Sequence, residues 1–163
     1  MTADAAAPHS GHVAIRQLSP GDTEAILDLH AAMDRQDSVY RFLTPPVPKD
    51  LPAVAAAISR DDPAHGAVGA FVDDRLAGVA NFVALDGTES AEVALVVARD
   101  QQEHGIGTEL LHHLARLARE RGIQRFVADV MPTNSKMMRL LIDADFPILA
   151  HKQDGLARIS AQL

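Results

Sequence analysis

Hydrophobic and polar positions along the chain change period several times, and each change marks an element. Residues 12–18 alternate, with Val13, Ile15 and Leu18 apolar and Arg16 and Gln17 polar, which predicts a first strand. Ser19-Pro20 then opens a helix, Ser as N-cap and Pro at the first helical position. Ala25, Ile26, Leu29 and Met33 form its apolar stripe. Residues 44–48 are Pro-rich and predict a loop, and the Ala-rich stretch 51–59 predicts a second short helix. Residues 67–72 and 76–85 read as two strands joined at Asp73-Asp74-Arg75, and 89–98 as a third strand of the same meander. Within it Val93, Ala94, Leu95, Val96 and Val97 are apolar on both faces, as in a central strand. Residues 106–121 carry the clearest helical pattern, with Ile106, Leu110, Leu114, Leu117 and Ala118 on one face and Gly122 as the stop. A strand over 124–131, a helix from Pro132-Thr133-Asn134 to about Ala144, and a terminal hairpin around Asp154-Gly155 complete the chain. The order is β-α-α-β-β-β-α-β-α-β-β. It predicts an α/β (α+β) fold in which helices flank a mixed, mostly antiparallel sheet of six to seven strands. Residues 1–11 read as a disordered leader without the pattern of a signal peptide, and 12–163 as one domain.

Composition narrows the functional classes. A net charge of -7 argues against nucleic acid as a partner, because phosphate binding needs a basic face. The chain has no cysteine, which removes disulfides, thiolate metal sites and cysteine nucleophiles and fits a reducing cytoplasm. No apolar run is long enough to span a membrane, so no membrane partner is expected. His112 and His113 are adjacent, so they diverge on a helix and lack the spacing of a zinc pair. They are expected to be surface residues, and no metal site is predicted.

The segment Gln102-Glu103-His104-Gly105-Ile106-Gly107-Thr108 follows an apolar strand and opens the strongest helix. Two glycines allow a tight turn and a close backbone approach. The free N–H groups of the first helical turn then face an anion, so the segment has the form of a pyrophosphate cradle. It is neither a Walker A loop, lacking Gly-Lys-Ser/Thr, nor a dinucleotide fingerprint, since Leu110 stands where the third glycine would be.

Gln-x-x-Gly-x-Gly in this strand order resembles the acyl-CoA-binding motif of the GNAT superfamily of N-acetyltransferases, and the resemblance runs from about Val13 to Ile159. Ala-Glu-Val-Ala-Leu-Val-Val at 91–97, Arg-Phe-Val-Ala-Asp-Val at 125–130, Asn134 with Met137, and Ser-Val-Tyr-Arg-Phe at 38–42 resemble its Pat-type bacterial protein lysine acetyltransferases. The resemblance implies acetyl-CoA as acyl donor. The main chain of Leu95, Val96 and Val97 would bond the pantetheine arm, and residues 102–108 would hold the pyrophosphate. Asn134 would lie near the sulfur, and the strand at 89–98 would splay from the next to leave a slot for the thioester. It also implies that Glu92 is the general base and that a strand N–H, that of Leu95 or a neighbour, holds the oxyanion. Such a base is needed because a lysine amine, with pKa ~10.4, is almost wholly charged at neutral pH. Apolar neighbours of Glu92 would raise its pKa toward that task.

Several positions depart from the family pattern. The tyrosine that often protonates the leaving thiolate is replaced by Leu141, so Ser135 and Tyr40 become the candidates for that role. Glu103-His104 replaces Gly-Arg, which removes a cation near the phosphates, and Asp145-Phe146 replaces Gly-Phe. Asp129 is a candidate for holding a substrate cation or a structural carboxylate. The expected acceptor is a protein lysine, with a small-molecule amine as the alternative and a non-catalytic acyl-CoA-binding module as the third reading. The chain is expected to act as a monomer or homodimer.

Overall fold

A computed structural model describes residues 12–36, 40–42, 50–101, 105–130, 135–153 and 155–163. The elements in chain order are β1 (Val13–Gln17), α1 (Thr23–Gln36), β2 (Tyr40–Phe42), α2 (Leu51–Ile58), β3 (His65–Val72), β4 (Arg75–Ala84), β5 (Ser90–Val97), α3 (Ile106–Glu120), β6 (Arg125–Val130), α4 (Ser135–Ala144), β7 (Ile148–Gln153) and β8 (Leu156–Gln162). The order is the expected one with β2 added, a strand too short to show a period. Seven strands run β1-β3-β4-β5-β6-β8-β7 across one sheet, and β2 pairs with β5 off that path. Every pairing is antiparallel except β5 with β6.

Local chemistry places these elements. Asp73 and Asp74 both have positive φ, 51° and 68°, so a two-residue turn joins β3 to β4 with the hand a twisted hairpin needs. The Asp22 carboxylate accepts from the Ser19 N–H at 3.0 Å and from the Arg16 guanidinium at 3.1 and 2.9 Å, tying β1 to the start of α1. Arg16 holds the Asp22 carboxyl below its ordinary pKa, chiefly through that hydrogen bond. Asp50 caps α2 by accepting from Ala53 N–H. A parallel β5–β6 pair requires a crossover, and α3 supplies it. Gly122, at φ 82°, ends α3 where Gly122 N–H and Ile123 N–H return to the Arg119 and Ala118 carbonyls.

The two faces of the sheet are covered unequally. α3 and α4 pack Leu110, Leu111, Leu114 and Leu141 against Phe82, Val93, Leu95, Val97 and Phe126, a core reaching from β3 to β8. On the other face α1 and α2 bury Leu18, Ile26, Leu29 and Ala55 against Leu76, Val79 and Val96, which covers β3, β4 and the end of β5. Elsewhere on that face Val83 at 39%, Glu92, Asp129 and Leu149 at 75% are exposed, while Val127, beside Glu92, is buried. Among the described residues no helix is long and apolar enough to cross a membrane.

Candidate active site

The site is built around the two edges of β5. Ala98 N–H donates to the Ala77 carbonyl at 2.8 Å, and the register continues with Gly78 opposite Val97 and Val79 opposite Val96. Because main-chain groups alternate along a strand, Val96, Ala94 and Glu92 turn theirs toward β4. Val97, Leu95, Val93 and Ala91 turn theirs to the opposite edge. On that edge β6 pairs only at Ser90, Ala91 and Glu92. β5 runs on to Val97 and β6 to Val130 without further pairing between them. The two strands therefore part immediately beyond the Glu92–Val127 position. From Glu92 to Val97 the strand advances about 17 Å, room for an extended arm.

The wide end of this slot leads to α3. Gly105 is the N-cap of α3 with φ 81°, a left-handed conformation that a side chain would strain. A Cβ there would meet nothing within 4 Å, so the surface in front of it is open. The first intrahelical bond runs from Glu109 N–H to the Gly105 carbonyl, leaving the N–H groups of the preceding turn pointing out of the helix end. Gly107 has a different role from Gly105: a Cβ there would come 3.0 Å from Leu140 Cδ1, so its absence lets α3 approach α4. Open backbone at a helix N-terminus fits a phosphate group. Ile106 is buried beneath it and Thr108 is half-buried. Gln102, Glu103, His104 and Asn134 lie outside the described residues, as do the side chains of Ser135 and Tyr40.

Glu92 is placed differently from the apolar surroundings its neighbours suggested. Ala91 and Val93 point into the α3 core, whereas Glu92 lies on the opposite face and is exposed. The alternation that buries its neighbours puts Glu92 outside, because α1 and α2 do not reach this part of the sheet. It is flanked by Val83 on β4 and Val127 on β6. Two residues beyond Val127 on the same face, Asp129 pairs with Arg158 at 3.1 Å. Asp129 is thus a carboxylate held by a cation of its own chain.

Leu141, at the position of the family tyrosine, is only 3% exposed and belongs to the α3–α4 core. His112 is exposed at the surface, as expected, and it is also tied down. Its Nε2–H donates to the Ala144 carbonyl at 2.8 Å, and its ring stands edge-on to Phe146 at 5.5 Å, joining α3 to the end of α4. Among the described residues no group of His, Asp or Glu is arranged to hold a metal ion.

What sequence reasoning missed is β2. Its residues pair antiparallel with the far edge of β5, Tyr40 opposite Val97, Arg41 opposite Val96 and Phe42 opposite Leu95. The segment Ser-Val-Tyr-Arg-Phe carries a family resemblance, but three residues have no periodicity to betray a strand.

Comparison with known proteins agrees with this geometry. Residues 29–143 match the Acetyltransferase (GNAT) family. No curated protein sequence matches. Among solved structures, the GNAT domain of S. lividans PAT is 25% identical over 91% of this chain and 89% of that one, with a TM-score of 0.72. The yncA protein of Salmonella typhimurium, solved with its cofactor acetyl-CoA, is 21% identical over 93% of this chain and 92% of its own, at a TM-score of 0.71. The ribosomal-protein-alanine N-acetyltransferase of Brucella melitensis is 21% identical over 92% and 98%, at 0.68. The last two likenesses establish the fold. With the family match spanning well over half its length, the parted β5–β6 pair and the open N-terminus of α3, the chain belongs to the GNAT family of acetyltransferases.

Proposed function

We propose that this acetyltransferase transfers an acetyl group from acetyl-CoA to the ε-amine of a protein lysine, with Glu92 as general base, and that it belongs with the Pat-type enzymes. The observation that carries this reading is the position of Glu92. It is the last β5 residue paired to β6, at the apex of the slot, and it is exposed. The α3 N-terminus at Gly105, Ile106, Gly107 and Thr108 would hold the pyrophosphate of the donor. The slot-facing main chain of Leu95 and Val97 would align its pantetheine arm, whereas Val96, also expected to contribute, turns its groups to β4. Residues 102–104 would complete the cradle, and Asn134 would lie near the sulfur.

The chain's own residues then divide the work. Glu92 accepts the proton of the incoming ammonium, directly or through a water, and the freed amine attacks the acetyl carbon. Once the slot-facing edge of β5 is free, the N–H of Leu95 would stabilise the oxygen that gains charge. The sulfur leaves as the thiol after taking up a proton. Leu141 is buried and carries no acidic hydrogen, so that proton comes from elsewhere. Among the described residues Val83 beside Glu92, and Leu149 farther along the same face, are exposed, which supports a macromolecular acceptor over a small amine that would call for an enclosed pocket. The 25% identity with the S. lividans PAT domain supports the same branch.

The test is an acetyl-transfer assay on lysine-containing proteins and on small amines, with Glu92→Gln beside the wild type. The expected result is transfer to a protein, lowered about 10²–10³-fold in kcat by the substitution, with acetyl-CoA binding retained. Turnover of small amines alone would overturn the acceptor. Binding without turnover, indifferent to Glu92→Gln, would identify a non-catalytic acyl-CoA module.

A further inference from the structure

The edge of β5 that faces the slot is already occupied at Leu95 and Val97. Their main-chain groups point away from β4, and the residues opposite them are Phe42 and Tyr40. In an antiparallel pair, residues whose groups face each other in this way exchange hydrogen bonds, whereas Arg41, opposite Val96, turns its own groups outward. β2 is thus a strand laid on the segment of β5 that the proposed donor needs. We infer that β2 is a displaceable strap, which fills the Leu95 and Val97 edge when no donor is bound and must leave it for the pantetheine arm of acetyl-CoA to bind.

The inference rests on the proposed placement of the donor along β5. Three features of the fold support displacement. β2 pairs at three positions, against seven for β4 on the other edge of the same strand, so it is the weaker partner. It lies off the continuous path of the sheet, so its removal leaves every other pairing in place. An open strand edge also accepts any extended chain with alternating donors and acceptors, and the two amides of a pantetheine arm have that character. The strap makes donor affinity depend on a conformational equilibrium: the apparent Kd is the intrinsic value divided by the fraction of molecules whose edge is free.

Substitutions on β2 separate the strap from a fixed part of the donor site. Proline at position 42 or 40 removes an N–H that faces β5, whereas proline at 41 removes one that faces away. Phe42→Ala controls for the lost ring. Calorimetric titration with acetyl-CoA is expected to show Phe42→Pro and Tyr40→Pro binding about 3–10-fold tighter than wild type, with Arg41→Pro and Phe42→Ala within about twofold. Hydrogen exchange on the wild-type chain gives an independent reading that needs no variant to fold. Saturating acetyl-CoA should speed exchange at the Tyr40 and Phe42 amides, while those of Leu95 and Val97 stay protected. Slower exchange at Tyr40 and Phe42, or weaker or unchanged binding by the 40 and 42 proline variants, would overturn the strap and leave the donor reading standing. No saturable binding by wild type or any variant would overturn the donor reading, and the strap with it.

Discussion

The two edges of β5 are made by the same eight residues and have opposite fates. Toward β4 the ladder is continuous from Ala91 to Val97, backed by Leu110, whose methyl would lie 3.0 Å from a Cβ at Gly78. Toward β6 the ladder stops after Glu92, and β2 takes up the groups at Leu95 and Val97. One edge carries a continuous ladder, and the other is the one that the proposed strap and donor would share. The difference shows why an apolar run such as Val93-Ala94-Leu95-Val96-Val97 is compatible with a binding strand. Its side chains belong to two cores, which leaves its main chain on one edge free to serve the proposed donor.

Substitutions on either side should divide cleanly if this separation is right. The largest effect is expected for Glu92→Gln at the parting edge, with kcat down about 10²–10³-fold and a melting temperature near that of wild type, because an exposed side chain contributes little to stability. A large loss of stability would show that Glu92 is structural. Leu110→Ala, beneath the closed edge and fully buried, should cost about 2–5 kcal/mol in denaturant unfolding. Binding of acetyl-CoA by the molecules that remain folded should be unchanged. Gly105→Ala lies between the two classes. Its left-handed φ of 81° predicts a loss of about 1–2 kcal/mol. The methyl group would also stand in the open space before the α3 N-terminus, so acetyl-CoA affinity should fall together with stability. The smallest effect is expected far from both edges, at Asp22. Arg16 lowers its folded-state pKa, so its contribution is present above the unfolded value near 3.8 and is lost as pH falls through the lower folded value. Asp22→Asn should therefore narrow the difference in stability between neutral and strongly acidic solution, measured by thermal unfolding across pH. An unchanged pH profile would remove Asp22 from the account.

Much of this fold was legible from the chain alone because its elements are long and periodic. The α3 stripe of Ile106, Leu110, Leu114 and Ala118 is buried as its spacing required, and Gly122 stops the helix in the left-handed region. The departure at Asp145 also has a physical account. Asp145 has φ 62°, a conformation glycine adopts freely and aspartate tolerates better than most residues, so the chain keeps the turn after α4 without the glycine. The site was less legible. Gly105 and Gly107 looked equivalent in the motif, yet one shapes a turn and the other admits Leu140. Asp129 could be named as a carboxylate of interest, but its partner Arg158 is on another strand.

The sequence by itself determined the meander, the crossover helix, the glycine turn that opens α3 and the family to which these point. All of these follow from local period and turn chemistry, which neighbouring residues specify. Tertiary structure alone decided where β5 and β6 part, that Glu92 faces outward, and that β2 lies against Leu95 and Val97. A two-residue period separates the faces of a strand but does not say which face a distant helix will cover. Nor does it say which edge a segment about fifty residues earlier will pair with, because those outcomes depend on the register between strands and not on the pattern within any one of them.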